Sequence, residues 1–140
     1  MKLFLDTSVL LAACGSDRGA SHFVCTTART QRWELLASAY VFEEVLRNIS
    51  QLPSVARARW PQLQERLRTV DDVLITDQPV VFPVTKDRPV LFTALAWADV
   101  LLTLDRADFS DILGHTFYGL VICSPGEFLE AERAAGRLVR

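Results

Sequence analysis

Short apolar runs without polar alternation constrain the fold of this chain more than any other feature of its sequence. A strand that is buried on both faces has this pattern, whereas a half-exposed strand alternates apolar and polar residues. Strands buried in this way are typical of parallel sheets covered by helices. The runs predict strands at Lys2–Leu5, Glu34–Ala37, Val73–Ile75, Val100–Thr103 and Leu120–Cys123.

Segments with helical spacing and one apolar stripe lie between these runs. Strands that alternate with helices pair in parallel through right-handed crossovers. We therefore predict the α/β class, with a three-layer α/β/α sandwich around a central parallel sheet. Helix boundaries are expected at Asp6-Thr7-Ser8, Gly15, Ser38 and Pro125. The stripes consist of Val41, Val45 and Ile49; of Trp60, Leu63, Leu67 and Val70; and of Leu91, Leu95 and Ala98.

Half of the 140 residues are hydrophobic and 23% are charged, which is the balance of a globular chain rather than a disordered one. We expect one compact domain over residues 1–140. The longest apolar stretch, Pro89–Leu104, contains Asp99 and is shorter than the roughly 20 residues that a membrane-spanning helix needs. The first residues do not resemble a secretory signal. We expect no membrane association and a cytoplasmic location.

The three cysteines, Cys14, Cys25 and Cys123, have unrelated spacings and form no C-x-x-C pair. Only His22 and His115 could complete a zinc site, so we expect buried, reduced thiols. The tryptophans are expected in the core or at an interface because bases stack only on exposed rings. They are Trp33, Trp60 and Trp97.

The formal net charge of −2 argues against a protein that coats nucleic acid, because that mode requires many phosphate-neutralising residues. It is compatible with a nuclease, since carboxylates that hold divalent cations count as negative although the loaded site presents positive charge. Arginines after the second strand could guide phosphates, although a solvated helix face is the simpler interpretation. These are Arg47, Arg57, Arg59, Arg66 and Arg68.

Acidic residues follow the ends of the predicted strands. Asp6 directly follows the first strand, and Asp105 comes two residues after Thr103, with Asp108 close behind. Asp87 opens the helix that leads into that later strand. Ligands of open parallel sheets bind beyond the carboxyl ends of the strands, so these side chains should converge. Each acid alone could cap a helix or form a turn, but the occurrence of all of them at strand ends favours a ligand-binding site.

Converging carboxylates repel one another unless protons or cations neutralise them. Mg²⁺ and Mn²⁺ prefer oxygen ligands, and a set without His or Cys matches them better than it matches zinc. The pattern therefore predicts a site for Mg²⁺ or Mn²⁺.

Five motifs stand in a characteristic order: LFLDTSVL at 3–10, SAYVFEEV at 38–45, DRPVL at 87–91, ADVLLTLD at 98–105 and SPGEFL at 124–129. This series resembles the PIN-domain family, most closely its bacterial toxin-like branch with the VapC-type ribonucleases. The resemblance covers nearly the whole chain. It implies a parallel sheet of about five strands in the order 3-2-1-4-5, and divalent-metal-dependent cleavage of RNA.

Carried over residue by residue, the resemblance implies four catalytic acids, of which all but Glu44 are metal ligands. Helical phase does not separate Glu44 from Glu43, and Glu44 is chosen because it matches the family pattern. Ser8 and Thr103 resemble polar companions that orient carboxylates, and Asp108 is a further accessory candidate. The four acids are Asp6, Glu44, Asp87 and Asp105.

The toxin-like resemblance also implies partners. A cognate antitoxin protein would place a short segment across the active groove, and the chain would form a homodimer. Neither partner follows from the residues alone.

Two other function classes are compatible with parts of the sequence. In a phosphatase or phosphotransferase, Asp6 would be the nucleophile. Haloacid-dehalogenase-type families usually carry a second Asp where this chain has Ser8, which disfavours that class. In a non-catalytic module of the PIN or receiver type the acids would be degenerate, whereas all four are present here.

Overall fold

The computed structural model describes residues 1–73, 88–105, 109 and 113–139. Within these residues, strands and helices alternate along most of the chain. The strands are β1 (Lys2–Leu5), β2 (Glu34–Ser38), β3 (Arg68–Val70), β4 (Val100–Leu102), β5 (His115–Phe117) and β6 (Leu120–Cys123). The helices are α1 (Thr7–Gly15), α2 (Ala20–Gln31), α3 (Ala39–Asn48), α4 (Ser54–Glu65), α5 (Arg88–Trp97) and α6 (Pro125–Ala134), with a short 3-10 helix at Ile49–Gln51.

The described strands form one sheet in the order β3-β2-β1-β4-β6-β5. The first five in this order are parallel, and β5 pairs antiparallel with β6 at the edge. The expected order 3-2-1-4-5 is confirmed for the parallel strands, with β6 as the fifth. The α/β class with a central, mostly parallel sheet is confirmed as well.

The central strands are buried on both faces, which explains their unbroken apolar sequence. Leu3, Phe4 and Leu5 of β1 are fully buried, as are Leu101 and Leu102 of β4. Helices α2 and α3 pack on β2, and α5 packs on β1 and β4. Helix α1 packs against α2, α3 and α4. The core therefore fixes β1 and β4 side by side in the middle of the sheet.

The third strand lies earlier than predicted, at Arg68–Val70 instead of Val73–Ile75. Val73 follows the strand and donates its backbone N–H to Thr93 Oγ1 at 2.9 Å, whereas residues 74–75 lie outside the described residues. Within β3 only Val70 is buried, because β3 is an edge strand. An edge strand needs no continuous apolar run, so the criterion for buried strands missed it.

The helical stripe predicted to end at Val70 is too long. Helix α4 ends at Glu65, and the N–H of Leu67 donates to the carbonyl of Gln64 in the turn that follows. Val70 belongs to β3. The apolar residues of the turn and of the edge strand happen to continue the helical spacing, which explains the error.

Helix α2 and strand β5 were not predicted. The buried face of α2 carries small or weakly apolar side chains, which gives a poor stripe, and β5 exposes two of its three residues. Strand β5 reaches β6 through a tight turn in which Tyr118 and Gly119 both have positive φ, at 50° and 86°. The buried side chains of α2 are Ser21, Val24, Cys25 and Ala28.

The expectation of buried, reduced thiols is confirmed, since Cys14, Cys25 and Cys123 are free and buried. Trp33 and Trp60 lie in the core as expected. Trp97 is 38% exposed and donates its Nε1–H to a backbone carbonyl, so it is only partly packed. No helix within the described residues is long and apolar enough to cross a membrane.

The burial of β4 gives a direct test of the core. Leu101→Ala should lower the free energy of unfolding by about 2–5 kcal/mol, because it leaves a cavity in the core on one face of the sheet, where Leu101 is fully buried. The matched control is Leu46→Ala on the exposed side of α3, where the side chain is 62% exposed and the change should stay within about 0.5 kcal/mol. Urea unfolding measures both. Equal losses in the two variants would contradict the assigned core.

Candidate active site

Strand pairing brings the ends of β1 and β4 together at the carboxyl edge of the sheet. Leu5 of β1 is paired with Leu102 of β4, so the next residues, Asp6 and Thr103, lie side by side. The backbone N–H of Asp6 donates to the carbonyl of Leu102 at 3.0 Å, which extends the pairing into the site. Two side chains that are 97 positions apart along the chain thereby become neighbours.

The Asp6 carboxylate is held by three donors. Its Oδ1 accepts from the backbone N–H of Thr7 at 2.8 Å, which caps the start of α1. Its Oδ2 accepts from the hydroxyls of Thr103 at 2.8 Å and of Ser8 at 3.1 Å. Asp6 is therefore the N-cap of α1 and also the centre of a polar cluster. Its role as a helix cap is thus compatible with a role in a binding site.

The two hydroxyls also fix the segment after β4. The backbone N–H of Leu104 donates to Ser8 Oγ at 3.0 Å, and the N–H of Asp105 donates to Thr103 Oγ1 at 3.0 Å. Each hydroxyl thus donates to Asp6 and accepts from the segment that carries Asp105. This network holds Asp105 on the same side of the sheet as Asp6.

The Asp6 carboxyl is 6% exposed and no ion pair to it is formed by the residues that the structure describes. Burial raises its pKa above the usual value of 3.8. The hydrogen bonds from Thr103, Thr7 and Ser8 oppose this rise, and the nearby charge of Glu44 adds to it. A cation at this position would relieve both the desolvation and the repulsion.

Helix α3 places Glu44 in the same cleft as Asp6. Glu44, Asp6, Ser8 and Asp105 line one cleft of about 260 Å³. Glu43 points elsewhere: its side chain is 68% exposed and pairs with Arg47 at 3.4 Å. The structure therefore separates the two glutamates that helical phase left undecided.

Other residues of the cleft were not singled out in the sequence. Tyr40 and Asn48 line it, one helical turn before and one after Glu44, and this i, i+4, i+8 spacing was the signal that could have identified them. Thr7 lines it as well, and its buried Oγ1 has no hydrogen-bond partner among the described residues. A buried hydroxyl without a partner is costly unless a water or ligand satisfies it.

Asp72 is a further residue that the sequence did not reveal. Its Oδ2 accepts from the backbone N–H of Tyr40 at 3.0 Å, in the first turn of α3. Ser38, the residue at the N-cap position, makes no capping hydrogen bond with its side chain. Asp72 therefore performs the capping from the segment after β3 and anchors the helix that carries Glu44.

The donor chemistry of the cleft suits a hard divalent cation. Residues with carboxylate, hydroxyl and amide side chains line it, and Thr7 offers a hydroxyl that has no partner among the described residues. The described residues alone do not bring three His, Cys, Asp or Glu side chains into one metal-binding group. Asp87 and Asp108, the remaining predicted acids, lie outside the described residues.

The PIN-domain family model matches residues 2–107, which is most of the chain and includes both β1 and β4. The chain belongs to the PIN-domain family. The resemblance noted in the sequence is thereby confirmed, and PIN domains form a family of nucleases.

A solved structure has the same fold as this PIN domain. It is the crystal structure of VapBC2 from Rickettsia felis bound to a DNA fragment from their promoter. The match has a TM-score of 0.60 at 14% sequence identity, and it covers 87% of this chain and 97% of that chain. At this identity the likeness shows the fold alone. No curated protein matches the chain.

The raised pKa of Asp6 predicts how the metal-free protein responds to pH. The folded state holds the Asp6 proton more tightly than the unfolded chain, so stability falls as pH rises from 3.8 through the raised folded value. Asp6→Asn removes this titration, so its stability relative to the wild type should be higher at neutral pH than at low pH without metal. The change with pH is the test, because Asn Nδ2 cannot accept the hydrogen bonds that Asp6 Oδ2 accepts from Ser8 and Thr103. Below pH 3.8 the difference between the two proteins should no longer change with pH.

Urea unfolding in the presence of a chelator, at neutral pH and at low pH, measures this difference. If the stability of Asp6→Asn relative to the wild type fell as pH rises, the folded state would favour the ionised carboxylate, contrary to the assignment.

Proposed function

We propose that this PIN-domain protein is a divalent-metal-dependent endoribonuclease that hydrolyses RNA phosphodiester bonds. One observation carries the proposal: the buried carboxylate of Asp6 faces a cleft that Glu44 and Asp105 also line. Burying an ionised carboxylate without a compensating charge is costly. Among the residues that the structure describes, the cleft collects further carboxylates and no Arg or Lys, which supports a site that a cation completes.

Asp6, Asp87 and Asp105 would hold Mg²⁺ or Mn²⁺. A divalent cation bound there supplies Lewis-acid chemistry, which lowers the pKa of water and neutralises charge on the phosphate. Oxygen donors of this kind match both ions. The assignment of Asp87, and of Asp108 as an accessory, rests on the sequence resemblance.

Glu44 is the candidate general base. No His lines the cleft among the described residues, so its carboxylate is the natural acceptor for the proton of the attacking water. Asp72 and the packing of α3 on β2 hold the helix that presents it. Ser8 and Thr103 would act through Asp6, because their hydroxyls fix the orientation of its Oδ2.

A phosphatase mechanism with Asp6 as nucleophile fits these contacts less well. Both carboxylate oxygens accept hydrogen bonds, and the side chain is nearly buried. A nucleophilic oxygen needs an open approach to phosphorus, which this arrangement does not favour. The ribonuclease proposal is therefore preferred over it.

The same proposal places the protein in the cytoplasm as the toxin of a toxin–antitoxin pair, with a cognate antitoxin protein and a second copy of the chain as partners. The fold that it shares with a VapBC2 structure supports this assignment. Sequencing of transcripts after brief expression in growing cells would identify the RNA target. Growth and transcripts that are unaffected by the active protein would argue against a toxin.

The two adjacent glutamates provide a matched test of catalysis. Glu44→Gln should lower kcat for metal-dependent RNA cleavage by about 10²–10⁴-fold, because it removes the base. Glu43→Gln has the same chemistry on an exposed face and should retain activity. Cleavage of a labelled RNA in a nuclease-free preparation measures both. Equal effects of the two substitutions, or none, would count against the assigned role.

Metal binding can be tested without any cleavage assay. Mg²⁺ or Mn²⁺ at about 100 times its dissociation constant should stabilise the wild type by about 2.7 kcal/mol, because the ion binds the folded state alone. Asp6→Asn should lose most of this stabilisation, whereas Glu43→Gln should keep it. Thermal unfolding across a metal titration reports the effect. A non-catalytic module without a metal site would show no dependence in any variant.

A further inference from the structure

A basic groove lies between α2 and α4, at the opposite end of the sheet from the cleft. Its larger part, of about 840 Å³, is lined by the last turns of α2 and the starts of β2 and β3. A smaller part of about 320 Å³ shares Cys25, Thr26 and Arg66 with it, so the two form one groove. The smaller part reaches Ala13 and Asp17 near the end of α1.

The groove concentrates positive charge in a chain whose net charge is −2. Within the described part of the chain, five arginines line it against three acids, so it is locally positive. The arginines are Arg29, Arg32, Arg59, Arg66 and Arg68.

Several of these guanidinium groups are held in place. Arg59 donates to the carbonyl of Cys14 at 2.7 Å, Arg66 donates to the carbonyl of Cys25 at 3.3 Å, and Arg68 pairs with Glu34. A guanidinium has five donors, so each retains N–H groups for a ligand. Arg29 and Arg32 are exposed and form no ion pair with the described residues.

The spacing of the arginines suits a repeating anion. Arg59 lies on α4 and Arg66 directly follows the last residue of that helix, so the two are seven residues apart, or about 10.5 Å at the helical rise. This distance matches about three nucleotides of a stacked strand, which rises by about 3.4 Å per nucleotide. The indole of Trp33, which lines the larger part, is 8% exposed, which favours phosphate contacts over base stacking on that ring.

We infer that this groove binds the phosphate backbone of the RNA strand that flanks the cleavage position. The inference rests on the proposed ribonuclease function. Helix α1 runs from the cleft at Thr7 to the groove at its other end, and its nine residues span about 13 Å. At the rise of a stacked strand, about 3.4 Å per nucleotide, about four nucleotides cover that distance. An RNA therefore reaches the arginines when about four nucleotides extend beyond the cleavage position on that side, which an RNA of about four nucleotides in all does not provide.

The test compares two double variants that remove the same charge. Arg29→Gln with Arg32→Gln alters the groove, whereas Arg47→Gln with Arg57→Gln alters exposed arginines outside it. Binding of single-stranded RNA of roughly 4 and roughly 16 nucleotides is followed by fluorescence anisotropy, with a chelator present to prevent cleavage. Cleavage of both RNAs is then measured with Mg²⁺.

The groove variant should bind the longer RNA about tenfold more weakly, with a salt slope that is smaller by about 1.4, or about 0.7 for each phosphate that is no longer neutralised. Its binding and cleavage of the shorter RNA should match the wild type, and the control pair should have little effect on either RNA. Equal losses in the two double variants would reduce the effect to net charge and overturn the inference. Unchanged binding in both double variants would also overturn the inference. It would favour an acidic protein segment, instead of RNA, as the ligand of the groove.

The two proposals fail separately. If the wild type cleaves neither RNA, the ribonuclease function fails, while binding of the longer RNA still reports on the groove. If the wild type cleaves both and the groove variant behaves like the wild type on the longer RNA, only the groove assignment fails.

Discussion

The site depends on the hydrogen bonds that two hydroxyls make around one buried carboxylate. Ser8 and Thr103 each donate to Asp6 Oδ2 and each accept from a backbone N–H in the segment after β4. The carboxylate therefore connects the end of β1, the start of α1 and the segment that carries Asp105. Without these donors a buried Asp would be a desolvated anion with little reason to remain at one place. With them it is oriented before any ligand arrives.

The strand order of the sheet brings the other acidic residues of the cleft to Asp6. In the order β3-β2-β1-β4, the carboxyl ends of β1, β2 and β4 meet at one edge, so each following segment starts there. Asp6 follows β1, α3 with Glu44 follows β2, and Asp105 follows β4. Local sequence only has to place an acid after each strand, because the parallel crossovers bring the acids together.

The sequence predicted the strands that are buried on both faces. It missed the elements that are exposed on one side. Strands β1, β2, β4 and β6 are apolar throughout or nearly so, and their positions were correct to within a residue. Edge strands β3 and β5 and helix α2 lack such a pattern. In the site, Asp6 and Thr103 stood at strand ends and could be identified directly. Glu44 and Glu43 could not be separated, because their difference in exposure depends on how α3 packs.

The net charge of −2 conceals two surfaces of opposite character. The carboxylates gather at one end of α1 and the arginines at the other, about 13 Å apart by the length of that helix. The Debye length is about 8 Å at physiological ionic strength, so exposed charges at this distance are largely screened from one another. The acids therefore do not cancel the field of the arginines. A net charge calculated over the whole chain excludes a protein that coats nucleic acid, but it does not exclude one that binds a single strand along one groove.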